Sequence, residues 1–334
     1  MHGVFKLLDI SYKKIMKIVF MGTPDFALES LKAIYEAGHE IIGVVTNPDK
    51  PKGRGMKMIA SPVKEFALEK NLKIFQPIKI RTNLEFIEEI KKLNPDVICV
   101  VAYGKILPKE ILEIPKLGCI NVHASLLPKY RGAAPIQWAV LNGDKITGVT
   151  TMYMDEGMDT GDMILKEEVE IGKEETTGEL WDRLSKMGGN LLVETLSQIE
   201  KGIAPREKQG EYFTIAPMLN KKMAEIDWNK QTAEEIYNLV RGLNPIMGAY
   251  AFYNNKKIKF WKVKIVDEKE IEDILKQEIG KEKIESATPG DVLLEDSKKG
   301  LYIKAKDGIL KVLEIQGENS KRMSAHDFLL GNSI

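Results

Sequence analysis

The sequence predicts an α/β protein: a Rossmann-like, mostly parallel sheet in an N-terminal domain, followed by a small C-terminal β-barrel domain. Three observations predict it. Apolar, β-rich runs alternate with helical patterns from Met16 to about residue 200, and that alternation with short connections argues for a parallel sheet covered by helices on both faces. A stretch with prolines and little periodicity then interrupts the pattern. Beyond it come one helix and several short strands separated by Gly and Asn turns, the pattern of a small barrel.

Taken in order, Lys17 to Met21 is a buried strand, and Phe26 to Ala37 has helical periodicity that stops at Gly38. Further strands are Glu40 to Val45, Val97 to Ala102, Gly118 to His123 and Gly148 to Met154. Helices are expected over Ser61 to Lys70, Leu84 to Leu93, Ala134 to Leu141 and Thr177 to Lys201. Gly202 to about Leu219 holds the interdomain linker. Thr232 to Leu243 is the one later helix. Strands follow at Ala249 to Tyr253, Lys257 to Val266, Asp291 to Leu294, Gly300 to Ala305 and Ile309 to Gln316. Asp267 to Glu285 is so rich in acid and Lys that it is expected to be a solvated insertion. The resulting division is an extension over 1–15, a first domain over 16–204, a linker over 205–222 and a C-terminal domain over 223–334.

Composition bounds the function classes. The 334 residues are 43% hydrophobic and 29% charged, enough for two domains with separate cores. Lys and Arg number 49 and Asp and Glu number 49, so net charge is zero. No whole-molecule basic field exists, and any nucleic-acid contact must come from local patches. The two cysteines, Cys99 and Cys119, sit in apolar strand-like runs and are expected to be buried thiols of a reducing compartment. No apolar run reaches the ~18 residues of a membrane span. The first fifteen residues are too weakly apolar for a secretory signal and lack a small-residue cleavage site. Met16 is the expected start of the fold, and a soluble cytoplasmic protein without a membrane partner is the expectation.

The chemistry is carried by Gly118-Cys119-Ile120-Asn121-Val122-His123-Ala124-Ser125-Leu126-Leu127-Pro128-Lys129-Tyr130-Arg131-Gly132. Alternate strand side chains share a face, so Asn121 and His123 lie on one side and Ile120 and Val122 on the other. Burying a polar pair in an otherwise apolar strand is costly without partners. Downstream, Met154-Asp155-Glu156-Gly157-Met158-Asp159-Thr160-Gly161-Asp162 is an acidic, glycine-rich loop after the fifth strand. Loops leaving adjacent parallel strands would converge at one edge of the sheet. A carboxylate that reaches an imidazole orients it for general acid–base work. Taken alone, a strand-end histidine is more often structural, and the acidic loop fits a metal site or a plain turn equally well. The histidines (His2, His39, His123 and His326) and the cysteines show no metal-ligand spacing.

The run Asn121-x-His123-x-Ser125-Leu126-Leu127-Pro128-x-Tyr130-Arg131-Gly132, with Asp159 ahead of Thr160-Gly161-Asp162, resembles the folate-dependent formyltransferase family. The resemblance implies that Asn121, His123 and Asp159 form the catalytic trio. It implies 10-formyltetrahydrofolate as donor, bound along Ser125, Leu126, Leu127 and Pro128, with no metal. One departure is Ala124, where many members carry Gly. The chemistry suits these residues. An amine attacks the formyl carbonyl, the Asn121 amide stabilises the developing oxyanion, and His123 moves the proton while Asp159 orients it.

The trio does not name the acceptor, because family members also act on a glycinamide nucleotide and on amino sugars. Three features resemble the members whose acceptor is methionyl-initiator tRNA. Gly22-Thr23-Pro24-Asp25-Phe26-Ala27 follows the first strand and is no Gly-x-Gly-x-x-Gly dinucleotide motif. Thr46 to Lys57 is a long basic loop rich in Pro and Gly, with Lys52, Arg54 and Lys57 suited to phosphate. The C-terminal half resembles those enzymes' OB-like domain through Ala287-Thr288-Pro289-Gly290, Asp307-Gly308-Ile309-Leu310 and Met323 to Leu329. There, Lys256, Lys257, Lys259, Lys262 and Lys264 alternate imperfectly with apolar and aromatic residues, a pattern that fits an RNA surface and equally a solvated face. Lys221 and Lys222 add to the same charge. Competing readings are an amino-sugar or nucleotide formyltransferase, a non-catalytic RNA-binding protein on this scaffold, and a nicotinamide-dependent oxidoreductase. The expected state is a monomer that binds folate and initiator methionyl-tRNA.

Overall fold

The structure, a computed structural model, describes residues 15–52 and 57–334. The first half alternates strand and helix as expected, with β3, β4, β5, α4, β8 and β10 added to the elements read from the sequence: β1 (Lys17–Gly22), α1 (Asp25–Glu36), β2 (Glu40–Val45), β3 (Lys50–Lys52), β4 (Lys57–Ile59), α2 (Pro62–Glu69), β5 (Ile74–Phe75), α3 (Leu84–Leu93), β6 (Val97–Val101), α4 (Lys109–Leu112), β7 (Cys119–His123), β8 (Arg131–Gly132), α5 (Pro135–Leu141), β9 (Ile146–Tyr153), β10 (Met163–Glu170) and α6 (Thr177–Glu200). α2 and α3 begin where local chemistry supplies caps. Ser61 accepts a hydrogen bond from the Lys64 N–H and Asn83 from the Phe86 N–H, and α3 ends at Asn94 in the left-handed conformation.

The main sheet has seven strands in the order β10-β9-β7-β6-β1-β2-β5. β5, β2, β1, β6 and β7 run parallel. On one face Val19, Met21, Ile98 and Val100 pack with Phe86 and Ile90 of α3. Ile18 and Phe20, which alternate with them, are also fully buried, so both faces are covered, as a parallel sheet requires. β9 departs from the expectation. It pairs antiparallel with β7, Ile120 opposite Tyr153 and His123 opposite Thr150. The hydrophobic run alone could not give this direction, because β9 is as continuously buried as its parallel neighbours.

The second half contains β11 (Ile215–Ala216), α7 (Ala233–Gly242), β12 (Ala249–Tyr253), β13 (Lys256–Ile265), the short helices α8 (Glu268–Glu270), α9 (Lys276–Ile279) and α10 (Lys281–Ser286), then β14 (Val292–Asp296), β15 (Gly300–Lys304), β16 (Ile309–Gln316), β17 (Met323–Ser324) and α11 (Ala325–Leu329). The strands form an antiparallel sheet in the order β12-β13-β16-β15-β14, with β17 on β16. β12 and β13 are joined through Asn254 and Asn255, both at positive φ, the two-residue hairpin turn that asparagine favours. α7 carries a capping box, Thr232 with Glu235. It lies over Phe260 and Leu310 through Ile236, Leu239 and Val240. Register shifts between Phe260 and Val263 explain why the lysines of β13 alternate imperfectly.

The chain divides into two compact units. One holds the described residues up to His123 with Thr150–Lys166 and Ser185–Gln209; the other holds Ala124–Val149, Glu167–Leu184 and Gly210–Ile334. Cys99 and Cys119 are free and buried, and burial pushes both thiols well above their usual range. Among the described residues no helix is long and apolar enough to cross a membrane.

The stretch 267–285 is largely exposed, as its composition suggests, but it is folded and packed. It folds into short helices whose Leu275 and Ile284 are buried with Val266, Leu293, Tyr302 and Ile309. Its acid also has a structural use. Glu270 accepts hydrogen bonds from Tyr302 Oη and Lys311 Nζ, each at 2.8 Å, and pairs with Lys264 Nζ at 2.5 Å. Burial alone would push this carboxyl up, but the bonds from Lys264, Lys311 and Tyr302 more than offset it and hold the pKa down at about 2. Because the folded pKa lies below the ordinary 4.5, the stabilisation is complete above that value and is lost as pH falls through about 2. Glu270→Gln should therefore lower the melting temperature by a few degrees at pH 7. The gap to wild type should narrow steadily in melts at pH 4, 3 and 2; a gap independent of pH would remove the ion cluster from the account.

Candidate active site

β7 sits between β6 and β9 with all five of its residues buried. Asn121 is 9% exposed and His123 6%, so both need polar partners inside the sheet layer. His123 receives a carboxylate: its Nδ1 lies 3.6 Å from Asp159 Oδ2. That is contact distance for an ion pair and long for a hydrogen bond; such contacts in unliganded sites commonly tighten with substrate. Asp159 keeps 16% of its side chain exposed, so the pair is reachable from solvent on the carboxylate side.

Asp159 does not arrive by the expected route. β9 is antiparallel to β7, and the Met154 N–H donates to the Cys119 carbonyl. The acidic loop therefore leaves at the start of β7, whereas His123 lies at its end. The loop must double back along β7 to bring Asp159 to His123. Its shape is locally coded. Asp155 Oδ1 accepts from the Gly157 N–H and from Thr160 Oγ1, and Asp159 takes φ +55°. At Gly161 a Cβ would lie 1.7 Å from the Tyr153 carbonyl oxygen, so only glycine permits this return.

Two residues of the expected linker hold the loop from outside. The Gln209 amide donates to the carbonyls of Asp159 and Gly161, at 2.8 and 2.9 Å. Arg206 stacks its guanidinium 4.1 Å from the centre of the Tyr153 ring and pairs with Asp162 at 3.3 Å. Neither carries a motif. The only signal in the sequence is a polar and a cationic residue in a stretch without periodicity, which does not say what they meet.

In the other unit, Ser125 Oγ donates to the Lys129 carbonyl at 2.6 Å and the Lys129 N–H to the Leu126 carbonyl, closing a turn around the cis Leu127–Pro128 bond. Ser125 and Leu127 are buried, while Leu126 and Pro128 keep partial exposure. Thr214 braces this segment with three bonds. Its N–H donates to the Pro128 carbonyl, its Oγ1 accepts from the Tyr130 N–H, and its carbonyl accepts from the Arg131 N–H. These bonds hold Tyr130 at φ +61°. Ile215 and Ala216 continue as β11 beside Arg131 and Gly132, and a Cβ at Gly132 would meet the Ala216 carbonyl oxygen at 2.8 Å. Phe213 stacks on Arg131 at 4.4 Å. The connecting segment is thus a strut against the loop that follows His123.

The basic loop after β2 is a hairpin at its base, where β3 and β4 pair Lys52 with Lys57. The root is fixed by Asp49, which accepts from Lys64 at 2.7 Å and from Gln76 at 2.8 Å; these two bonds lower its pKa. Arg54 and the side chains of Lys52 and Lys57 lie outside the described residues. On β13, Lys256 is exposed, and Lys259 is half-buried with Nζ donating to the Met247 carbonyl at 2.9 Å. Lys257 Nζ lies 3.3 Å from the Tyr250 ring centre. Lys262 and Lys264 instead face Glu174 and Glu270. Among the described residues no group of three or more His, Cys, Asp or Glu is placed to hold a metal ion.

Residues 16–196 match the family model described as formyl transferase, and residues 218–333 match that of the formyl transferase C-terminal domain. A protein of Clostridioides difficile called methionyl-tRNA formyltransferase is 54% identical over 96% of this chain and 98% of its own length. One of the same name from Caldanaerobacter subterraneus is 49% identical over equal shares. An N-formyltransferase of Helicobacter canadensis, solved with folinic acid and dTDP-3-aminofucose, superposes with a TM-score of 0.64 at 20% identity, over 91% of this chain and 100% of that one. HypX of Aquifex aeolicus with tetrahydrofolic acid superposes at 0.63 and 16% identity over 95% of this chain, which spans about half (48%) of that structure. At such identities these two structures speak for the fold. The two domain matches and the near-full-length relatives make this chain a member of the formyl transferase family.

Proposed function

We propose that this chain transfers the formyl group of 10-formyltetrahydrofolate to the free amino group of methionyl-initiator tRNA, giving N-formylmethionyl-tRNA for translation initiation. The observation that carries the reading is the buried Asn121–x–His123 pair met by the Asp159 carboxylate, in a chain about half identical along its length to relatives bearing that name. The proposed division is residues 16–204 for the chemistry and 223–334 for RNA, joined by 205–222; the family matches run over 16–196 and 218–333. The working unit in this reading is a monomer. Buried free thiols support a reducing, cytoplasmic setting.

The residues fit the reaction in kind. Ser125 to Pro128 form a turn whose Leu126 and Pro128 remain partly exposed and serve as the donor-binding segment. 10-Formyltetrahydrofolate supplies an activated formyl carbonyl. Asn121 directs its amide N–H at the carbonyl oxygen as that oxygen gains charge, and in a buried site the preorganised donor acts strongly. His123 takes the proton from the attacking amine and returns it to the departing nitrogen. Asp159 fixes the ring while the proton is in transit. Arg54, Lys52 and Lys57 are assigned to phosphates of the acceptor arm, and Lys256 and Lys259 to the same RNA further along.

The acceptor is tested by incubating the protein with labelled 10-formyltetrahydrofolate and either methionyl-initiator tRNA or an amino sugar nucleotide. Label should enter the tRNA only; label in the sugar alone would overturn the acceptor. Asp159→Asn should lower turnover by about 10²-fold or more with tRNA affinity kept, and wild-type turnover would remove its role. Gln209→Ala, which frees the Asp159 loop, should cost up to about 10²-fold in kcat while both KM values hold. Replacing Lys256 and Lys259 with Gln should weaken tRNA binding and flatten its dependence on salt by about one to two phosphate contacts; an unchanged slope returns β13 to the scaffold.

A further inference from the structure

The unit that carries the basic strand also contains a cavity of about 190 Å³ that none of the roles above uses. It opens where the start of α5, the first turn of α6, the turn after α7 and the end of the connecting segment meet. Its walls are apolar: Leu243, Met247, Ala133 and Leu219, with Met218 and Ile246 at 77% and 70% exposure. By liquid volume the space equals about six waters, below the size of ordinary cofactor pockets. It suits one flat ring system.

The polar lining is selective. Thr177 Oγ1 is spent on the Gly242 carbonyl at 2.8 Å. Asn244 donates to the Trp261 carbonyl at 2.8 Å and accepts from Arg322 at 3.2 Å. Gln137 is different: among the described residues its half-buried amide has no hydrogen-bond partner, and it lines the cavity. A free amide offers a donor and an acceptor side by side, the pattern that recognises a base edge.

The rim supplies charge. The turn that forms one wall is held by two cations, Lys259 on the Met247 carbonyl and Arg322 on Asn244, and both also lie over the Trp261 ring, at 5.3 and 5.1 Å. Lys257 and Lys221 are close enough to Lys259 to disfavour its charged form, after burial, which contributes most. Arg322 is answered by Glu314, which meets both its Nε and its Nη2 at 2.5 Å, so the charge left open at the rim is that of Lys259 with its neighbours Lys257 and Lys221, and it calls for an anion. An apolar slot, a free amide and a cationic rim together match a nucleobase flanked by phosphates, rather than a peptide or an acyl chain.

We propose that this cavity is a nucleobase pocket for one unstacked, unpaired base of the tRNA, with Met218 and Ile246 packing on the base faces, Gln137 bonding its edge and the Lys259 side of the rim taking the neighbouring phosphate. The proposal rests on the tRNA reading above and adds to it a specific site. RNA-binding proteins commonly read single-stranded bases in this way, by splaying them out of the stack.

The test uses the full chain and uncharged initiator tRNA in equilibrium binding, with 2-aminopurine placed at each unpaired 3′ position in turn. One labelled position should change its fluorescence on binding to wild type. Gln137→Leu keeps the size and removes the amide; Ala133→Phe fills the slot from an exposed residue. Each should weaken tRNA binding about tenfold and abolish the fluorescence change, with the KM for 10-formyltetrahydrofolate unaltered. Wild-type affinity and signal in both variants would overturn the pocket. Loss with Ala133→Phe alone would overturn the reading of a base edge by Gln137. A wild-type protein that neither binds nor formylates tRNA would overturn the acceptor assignment itself, a result separable from the other two.

Discussion

The imidazole of His123 is held inside a sheet, and most of the surrounding architecture serves to make that position tenable. A polar side chain buried between apolar strands is destabilising unless its partners are fixed in advance. The partner here is a carboxylate from a loop that starts at the far end of the same strand and returns along it. That return needs a glycine where Gly161 passes the Tyr153 carbonyl, an internal turn organised by Asp155, and the Gln209 amide gripping the loop's backbone. Each is a small local constraint. Together they place one charged group within 3.6 Å of one ring nitrogen.

The same economy appears on the downstream side of β7. The chain leaving His123 forms a compact turn, and Thr214 bonds its backbone at Pro128, Tyr130 and Arg131. The connecting segment is therefore not a passive tether. It contributes Gln209 to one loop and Thr214 to the other, each within its own compact unit. A segment that lacks hydrophobic periodicity has few side chains to bury, and here its hydrogen-bonding groups are spent on positioning loops.

Charge is distributed in the same sparing way. With net charge zero, any RNA affinity has to come from local clusters. The β13 lysines are not equivalent. Lys262 and Lys264 face Glu174 and Glu270, whereas Lys256, Lys257 and Lys259 do not share those partners. Glu174, together with Glu270 of the helical stretch 267–285, thus confines the available positive surface to one end of the strand. The acidity of that stretch, which resembled mere solvation in the sequence, serves to neutralise particular lysines.

By itself the sequence determined the order of most of the longer elements, though not β10, together with the parallel character of β1, β2, β6 and β7, the buried thiols and the residue types of the reactive cluster. Each of these follows from short-range periodicity or from motif spacing, which the chain carries locally. Only the tertiary structure decided the direction of β9, the return path of the Asp159 loop, the grip of Gln209 and Thr214 on two loops, and the packing of 267–285. Strand direction depends on which neighbour pairs with an edge already formed, and a buried run looks the same in either sense. Gln209 lies fifty positions from Asp159 along the chain and Thr214 eighty-four from Tyr130, and no local pattern encodes contacts at such separations.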